Sequence, residues 1–510
     1  MRLQTAALAL VFALVSCRSA GTQTPFVPAS YGAGIANAPQ AAEPQGCSKR
    51  VNDTLEKLEA CMTRGSLWHR LVQFQRIAKE NPGGQGHPNR DTGTPGYAAS
   101  VAYVAKLMRE AGYAVTIQEY IYTKVAVVGT PAFRSAGRAY AFGRDWFIAR
   151  RSGGGALTAR VEPPSESASG CAPGDFAGFT RGNVALLERG DCTYDTQVAG
   201  ARAAGAAAVV IYSDAQEPGA HEARLVDAPV IPVIGTSHEV GAGLLRGYRA
   251  GESPEVQMDI RTQSKSDKDY NVIADSPYGN PKRTVVIEGH LDSIFGEGML
   301  DNASGSTTIL EIALNLAKTP TRNRLRYIWF GGEEIGLLGS AYYTKHLTTD
   351  ELRDIAFDID ADVTATPNFD ILIADPKYAS KVKQFPPNVV PESEIGNDAF
   401  TDYFKAGGVV SRPARFGNDG TDSLSFSLVG VPNSGILTQQ DCCKKDWELA
   451  LWGGFTGNYE GNIPSHDGGC VDRPDRWCDN LSNNDPFVLE LASKAVAYVT
   501  FVLANRHFRW

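Results

Sequence analysis

A mixed, mostly parallel α/β sheet flanked by helices, interrupted in sequence by a smaller α/β insert, is the architecture this chain predicts. From Thr284 onward, buried-looking strands alternate with helical runs, the order that parallel sheets require. Residues able to do chemistry gather where those strands end, which is where open α/β sheets collect ligands. Between roughly Pro131 and Ile260 the pattern changes to short strands among glycine and alanine, so a second unit interrupts the first.

The N-terminus reads as an address. Met1 and Arg2 precede a short apolar run, Thr5 to Val15, too short to span a bilayer and typical of a secretory signal. The run ends in Leu14-Val15-Ser16-Cys17, which resembles the lipobox of bacterial lipoproteins and implies a lipid on Cys17. Residues 1–17 are therefore expected to be a signal peptide. Residues 18–45, rich in Ala, Pro, Gly, Ser and Thr, are expected to form a flexible tether. Arg18 after Cys17, where an aspartate could stand, favours the outer membrane, with the mature chain in the periplasm or at the cell surface.

Nine cysteines, less Cys17, leave an even set of eight, as expected where disulfides persist. Spacing suggests the pairs Cys47 with Cys61, Cys171 with Cys192, and Cys470 with Cys478. The pairing of the adjacent Cys442 and Cys443 stays open. A net charge of −8 with no basic block argues against a nucleic-acid partner. The 510 residues, 43% hydrophobic and 21% charged, suffice for two or three globular domains.

From Cys47 to Tyr113, apolar positions such as Val51, Leu55, Leu58 and Val101, Val104, Leu107, Met108 predict two helices flanking a glycine-rich loop, Asn81 to Gly96. Strands should follow from Val115. In the second unit, Asn183 to Leu187 and Ala207 to Tyr212 read as strands, with a small-residue helix from Ala199 to Gly205 between them. The stretches Gly182 to Cys192, Ala203-Ala204-Gly205-Ala206 and Val230 to Gly235 resemble the protease-associated (PA) domain. That likeness implies a lid or spacer with no chemistry of its own, with direct substrate capture as the alternative. The expected boundaries are 46–130 and 266–510 for the main domain and 131–265 for the insert.

Thr284 to Gly289 reads as a buried strand ending in His290-Leu291-Asp292, and the period of two puts the imidazole and the carboxylate on one side. Asp301-Asn302-Ala303-Ser304-Gly305-Ser306 then precedes the helical run Thr308 to Leu316. Taken alone, Asp301 there reads as a helix cap. The strand Arg326 to Phe330 leads into Gly331-Gly332-Glu333-Glu334, where adjacent glutamates point apart, so that one can hold a metal while the other faces a reacting water. There is no GxSxG elbow and no HExxH, which disfavours a serine hydrolase and a gluzincin.

His290-Leu291-Asp292-Ser293, Asp301-Asn302-Ala303-Ser304-Gly305 and Glu333-Glu334-x-Gly-Leu-x-Gly-Ser together resemble the motifs of the M28 zinc aminopeptidases, a likeness covering about Ser48 to Lys124 and Tyr270 to Ala504. It implies a zinc-exopeptidase fold acting on peptides with two Zn2+ ions. His290 and Asp362 would hold one ion, Glu334 and a late histidine the other, and Asp301 would bridge them. Asp292 would orient His290, and Glu333 would be the general base. Asp358-Ile359-Asp360-Ala361-Asp362 offers three aspartates; Asp362 is preferred for its distance to Thr366-Pro367-Asn368, with Asp360 as its rival. The family's last ligand is a histidine four residues before an aspartate, and here Asp475 stands four before Asp479. His466 is the favoured substitute and Asp475 the rival. The same resemblance leaves open a carboxypeptidase, a glutaminyl cyclase or a catalytically dead surface binding protein.

Overall fold

The computed structural model describes residues 46–508 except 84–85, 191, 216–217, 224, 226–230, 380–384, 418–419, 461–468 and 472–476. The readings of Cys17 as a lipid carrier, and of His466 and Asp475 as ligands, lie outside the described residues.

Among the described residues the main sheet has eight strands. In spatial order they are Ala114–Val127, Thr262–Asp275, Asn323–Phe330, Asn280–His290, Ile355–Ala361, Asn433–Leu437, Leu372–Asp375 and Arg412–Arg415. The four central strands, from Asn323–Phe330 to Asn433–Leu437, run parallel, and antiparallel partners flank them on either side. This is the predicted mixed, mostly parallel sheet. Central burial explains its sequence: every residue of Ile355–Ala361 is buried, so the strand cannot alternate with solvent.

Helices Arg64–Glu80, Pro95–Ala111, Ala303–Leu316 and Pro486–Asn505 cover one face and share the largest apolar core with it, around Phe74, Tyr97, Leu310, Trp329 and Val496. Helices Leu338–Lys345 and Ser423–Leu428 bury the other face over Phe330, Tyr343 and Phe426. Pro486–Asn505 is long and apolar enough to cross a membrane, yet 61% of its apolar window is buried within the fold, which marks it as a core helix. It begins where Asp485 accepts hydrogen bonds from the Phe487 and Val488 amides, with Pro486 at the first helical position.

The segment read as one helix around Val51 to Leu58 is divided. A short helix, Leu55–Glu59, ends beside Cys61, and a new one, Arg64–Glu80, begins at a Thr63–Ser66 capping box. Cys61 is tied to Cys47, a constraint that apolar periodicity does not register. Disulfides also join Cys171 to Cys192, Cys470 to Cys478, and Cys442 to its neighbour Cys443.

Strands Ala114–Val127 and Thr262–Asp275 pair along their whole length, making a long antiparallel ribbon that leaves the main sheet. At its far end a second sheet, of eight strands among the described residues, is built from strands between Ala132 and Ile260. Its fully buried strand Ala208–Tyr212 follows helix Tyr194–Ala204, which Gly205 ends in a left-handed conformation.

Candidate active site

The parallel strands deliver their C-terminal ends to one edge of the sheet. His290 is the last residue of Asn280–His290, Glu333 and Glu334 follow Asn323–Phe330, and Asp362 follows Ile355–Ala361. The strand that ends at His290 and the strand that Asp362 follows are parallel neighbours, with Glu288 paired to Asp360, so those two side chains emerge side by side.

The His290 Nε2 atom lies 2.9 Å from Asp301 Oδ1 and 3.4 Å from Asp362 Oδ1. Ligand atoms of His290, Asp301 and Asp362 lie within 4.8 Å of one another, and so do those of His290, Glu333 and Glu334. One imidazole thus faces four carboxylates. Burial pulls the imidazole pKa down, but the charge of Asp362 and the bonds to Asp292, Asp301 and Asp362 outweigh it, and the value ends well above the ordinary one. The rival Asp360 belongs to neither of these two groups and accepts a hydrogen bond from the Thr421 hydroxyl. Burial, then the Asp362 charge, pushes its carboxyl up to about 7.

Asp292 is wholly buried at the hub of this cluster. Its Oδ1 accepts from the Glu333 amide at 3.3 Å, and its Oδ2 accepts from the Glu334 amide at 3.4 Å and the Thr92 hydroxyl at 2.8 Å. The His290 Nδ1 is nearer the Asp292 backbone oxygen, at 3.1 Å, than its carboxylate, at 3.6 Å. The expected carboxylate contact to the ring is therefore the longer one, and the carboxylate's shorter bonds hold the glutamate loop.

Asp301 is not the helix cap. Helix Ala303–Leu316 starts earlier than its periodicity suggested, and Asn302 caps it by accepting from the Gly305 amide at 2.8 Å. Asn302 also accepts from the Val363 amide at 3.2 Å and donates to the Ala361 carbonyl at 3.0 Å, tying the helix start to the strand end beside Asp362. Asp301 is thereby released from capping and turned toward His290. The motif signalled both residues, but a pattern of residue types does not say which of two neighbours caps.

Two staples hold the intervening loop. The Arg90 guanidinium, wholly buried, donates to the carbonyls of Leu291 and Gly298 at 2.6 Å and of Glu297 at 2.8 Å. Burial brings its pKa down to about 10, which leaves it charged. From the other side, Asp479 accepts from the Leu300 and Asp301 amides at 2.9 and 3.1 Å. Neither role was read from the sequence.

A cavity of about 300 Å³ opens beside these groups, with Asp301, Glu333 and Asp362 at one side and Leu372, Ala414 and Ile436 among its apolar walls. This suits a small ligand whose apolar part enters the pocket while a polar part meets the carboxylates.

Residues 271–493 match the profile of peptidase family M28, and residues 155–244 that of the PA domain. An aminopeptidase of Pseudomonas aeruginosa is 30% identical over 87% of this chain and 81% of that protein. A probable lipoprotein aminopeptidase of Mycobacterium tuberculosis is 29% identical over 85% and 84%. Among solved structures, an aminopeptidase from Aneurinibacillus sp. strain AM-1 superposes with a TM-score of 0.62 at 20% identity, covering 89% of this chain and 97% of that one. A zinc aminopeptidase from Bacillus subtilis gives a TM-score of 0.50 at 21% identity, over 86% and 95%. At such identities the superpositions speak for the fold.

Proposed function

The chain belongs to peptidase family M28 and is a metallopeptidase of the aminopeptidase kind; from that premise we propose that it removes N-terminal residues from peptides with two zinc ions and a glutamate base. The donor set fits such ions. One imidazole nitrogen and four carboxylates, in two trios that share His290 and each lie within 4.8 Å, are the ligand types zinc takes, and their clustered negative charge favours cations. His290 and Asp362 are assigned to one ion, Glu334 and His466 to the other, and Asp301 to both. Asp475 is the rival for the last place.

When bound at these residues, two such ions would supply Lewis-acid chemistry, polarising the scissile carbonyl and lowering the pKa of the attacking water. Glu333 takes the proton from that water at its carboxylate and passes it to the leaving amine. Asp292 acts at one remove, holding both glutamate amides and the Thr92 hydroxyl so that the two carboxylates keep their separate directions. The residue to be removed places its side chain in the cavity walled by Leu372, Ala414 and Ile436, which favours apolar residues.

The single observation that carries this reading is the convergence of His290, Asp301, Glu333, Glu334 and Asp362 at one sheet edge beside that cavity. The apolar N-terminal run and the Leu-Val-Ser-Cys ending support export with a lipid on Cys17. The Mycobacterium relative, named a lipoprotein, agrees with that. Glu333→Gln tests the mechanism: turnover should fall by about a thousandfold or more while bound zinc stays at the wild-type level. Retained turnover removes Glu333 from its role.

A further inference from the structure

Resting on the aminopeptidase reading, we propose that the junction of the PA insert and the main domain takes the side chain of the residue just beyond the scissile bond, and selects for an apolar one. A second cavity, of about 350 Å³, lies there. Phe295 and Ile335 line it from the main domain, and Phe142, Phe147 and Ile148 from the insert. It therefore exists only because the two units meet. Ile335 directly follows Glu334, and Thr92, also on the cavity wall, donates to Asp292 at 2.8 Å. The pocket for the removed residue lies against Asp301, Glu333 and Asp362. A peptide cut at the carboxylate cluster needs a place for each of its two parts, and two cavities adjoin that cluster.

Phe295 is presented to this cavity by a strained backbone. Its φ is 55°, in the left-handed region that a bulky side chain avoids. Such a conformation persists only where the surroundings over-determine it, and it clusters at ligand-binding sites. Here the Gly296 carbonyl accepts from the Arg90 amide at 3.2 Å and from the Ser293 hydroxyl at 2.8 Å. The Arg90 guanidinium holds the Leu291 and Glu297 carbonyls on either side of the same turn. Phe295 is nevertheless only half-buried and belongs to none of the apolar clusters that build the two units, so core packing does not account for it.

The insert contributes a second aromatic surface. Phe142 and Phe147 have ring centroids 6.1 Å apart, and Phe142 is 52% exposed. The charged groups of the lining are engaged within the protein. Arg150 Nε meets Glu222 Oε2 at 2.5 Å, and its Nη1 lies 3.8 Å from Glu334 Oε2. Arg151 is partnered as well, and Asp91 accepts from the Ser293 hydroxyl at 3.0 Å and the Gly296 amide at 3.4 Å. The aromatic and aliphatic side chains are then the surface that meets a ligand, and an apolar group entering between Phe295 and Phe147 exchanges water for contacts on both sides. The insert is seated directly on the glutamate loop: Gly336 has φ 112°, and a Cβ there would sit 2.6 Å from the Leu225 carbonyl.

The test measures kcat/KM for Leu-Phe-amide, Leu-Ala-amide and Ala-Ala-amide with wild type, Phe295→Ala and Phe147→Ala, and zinc content on each protein. The wild type should cleave Leu-Phe-amide about tenfold better than Leu-Ala-amide. Each substitution should bring that ratio to about threefold or less, because each removes one apolar wall. The ratio of Leu-Ala-amide to Ala-Ala-amide, set in the other cavity, should stay within about twofold of the wild-type ratio. The two substitutions lie in different units, so failure of one variant to fold leaves the other and the wild-type ratio to decide. A wild-type Phe-to-Ala ratio near one, a ratio unchanged in a folded variant, or both ratios falling together overturns the assignment while leaving the aminopeptidase intact. No release from any of the three peptides by the wild type overturns the parent reading together with this one.

Discussion

Replacing Asp292 with asparagine removes one formal charge and alters almost no volume, so its effect isolates what the carboxylate holds. Oδ1 accepts from the Glu333 amide, and Oδ2 accepts from the Glu334 amide and the Thr92 hydroxyl. Asparagine has one oxygen and one NH₂ for these two places. With its nitrogen at the Oδ1 position, it confronts the Glu333 amide and faces the His290 ring nitrogen, whose distance to Oδ1 is 3.6 Å. At the Oδ2 position it can donate to Thr92, which then accepts, but it still opposes the Glu334 amide. In either orientation one buried backbone donor loses its acceptor.

That loss costs about 1–3 kcal/mol. It falls on the loop that carries both the proposed base and a proposed ligand, so catalysis should suffer along with stability. Polar partners behind metal ligands commonly change metal affinity or activity by about 10- to 100-fold. We therefore expect Asp292→Asn to lower kcat/KM on a leucyl peptide by 10- to 100-fold, chiefly through kcat, and to weaken zinc binding by about tenfold. Steady-state kinetics in zinc-buffered medium, with competition against a chromogenic chelator, give both numbers. Kinetics and affinity both within twofold of wild type would refute the role given to this carboxylate.

Other outcomes follow from the same geometry. Arg90→Met removes three short bonds to the Leu291, Glu297 and Gly298 carbonyls and should cost about 3–5 kcal/mol in urea unfolding. Arg90→Lys should recover little, because one ammonium cannot reproduce the guanidinium's planar fork; full recovery would count against the argument. In the insert, burial lowers the His221 pKa from 6.5 to about 4. Between those values the unfolded ring binds a proton that the folded ring does not, so stability falls as pH falls from about 6.5 to about 4, by about 3 kcal/mol. His221→Gln should flatten that portion of the stability–pH curve, and an unaltered slope would assign it to other groups. Of His466→Ala and Asp475→Ala, the one that removes the last ligand should lose about one zinc per chain; His466→Ala is expected to be that variant.

The central strands were legible because their burial is written into unbroken apolar runs, as in Val285-Val286-Ile287 and Ile328-Trp329-Phe330. The motif order likewise led to His290, Asp301, Glu333 and Glu334, which the fold brings together. What stayed hidden depended on contacts distant in sequence. Arg90 meets carbonyls about 200 positions away, and nothing in its local pattern distinguishes a loop staple from a surface cation. Arg150 reaches Glu334 across a domain junction for the same reason. Asn302 shows a different limit: choosing between neighbouring capping residues needs backbone geometry. Leu55–Glu59 and Arg64–Glu80 merged in the reading because apolar spacing passes smoothly through Cys61, where a disulfide and a capping box divide the chain.

The central claim is that residues leave the amino end through metal held at His290, Asp301, Glu334 and Asp362. Mass spectrometry of an unlabelled nonapeptide incubated with the enzyme, after chelation and again during zinc titration, tests it most directly. The account predicts a ladder shortened from the amino end, lost on chelation and fully restored at about two zinc per chain. Shortening from the carboxyl end, indifference to the chelator, or full restoration by a single equivalent would contradict it.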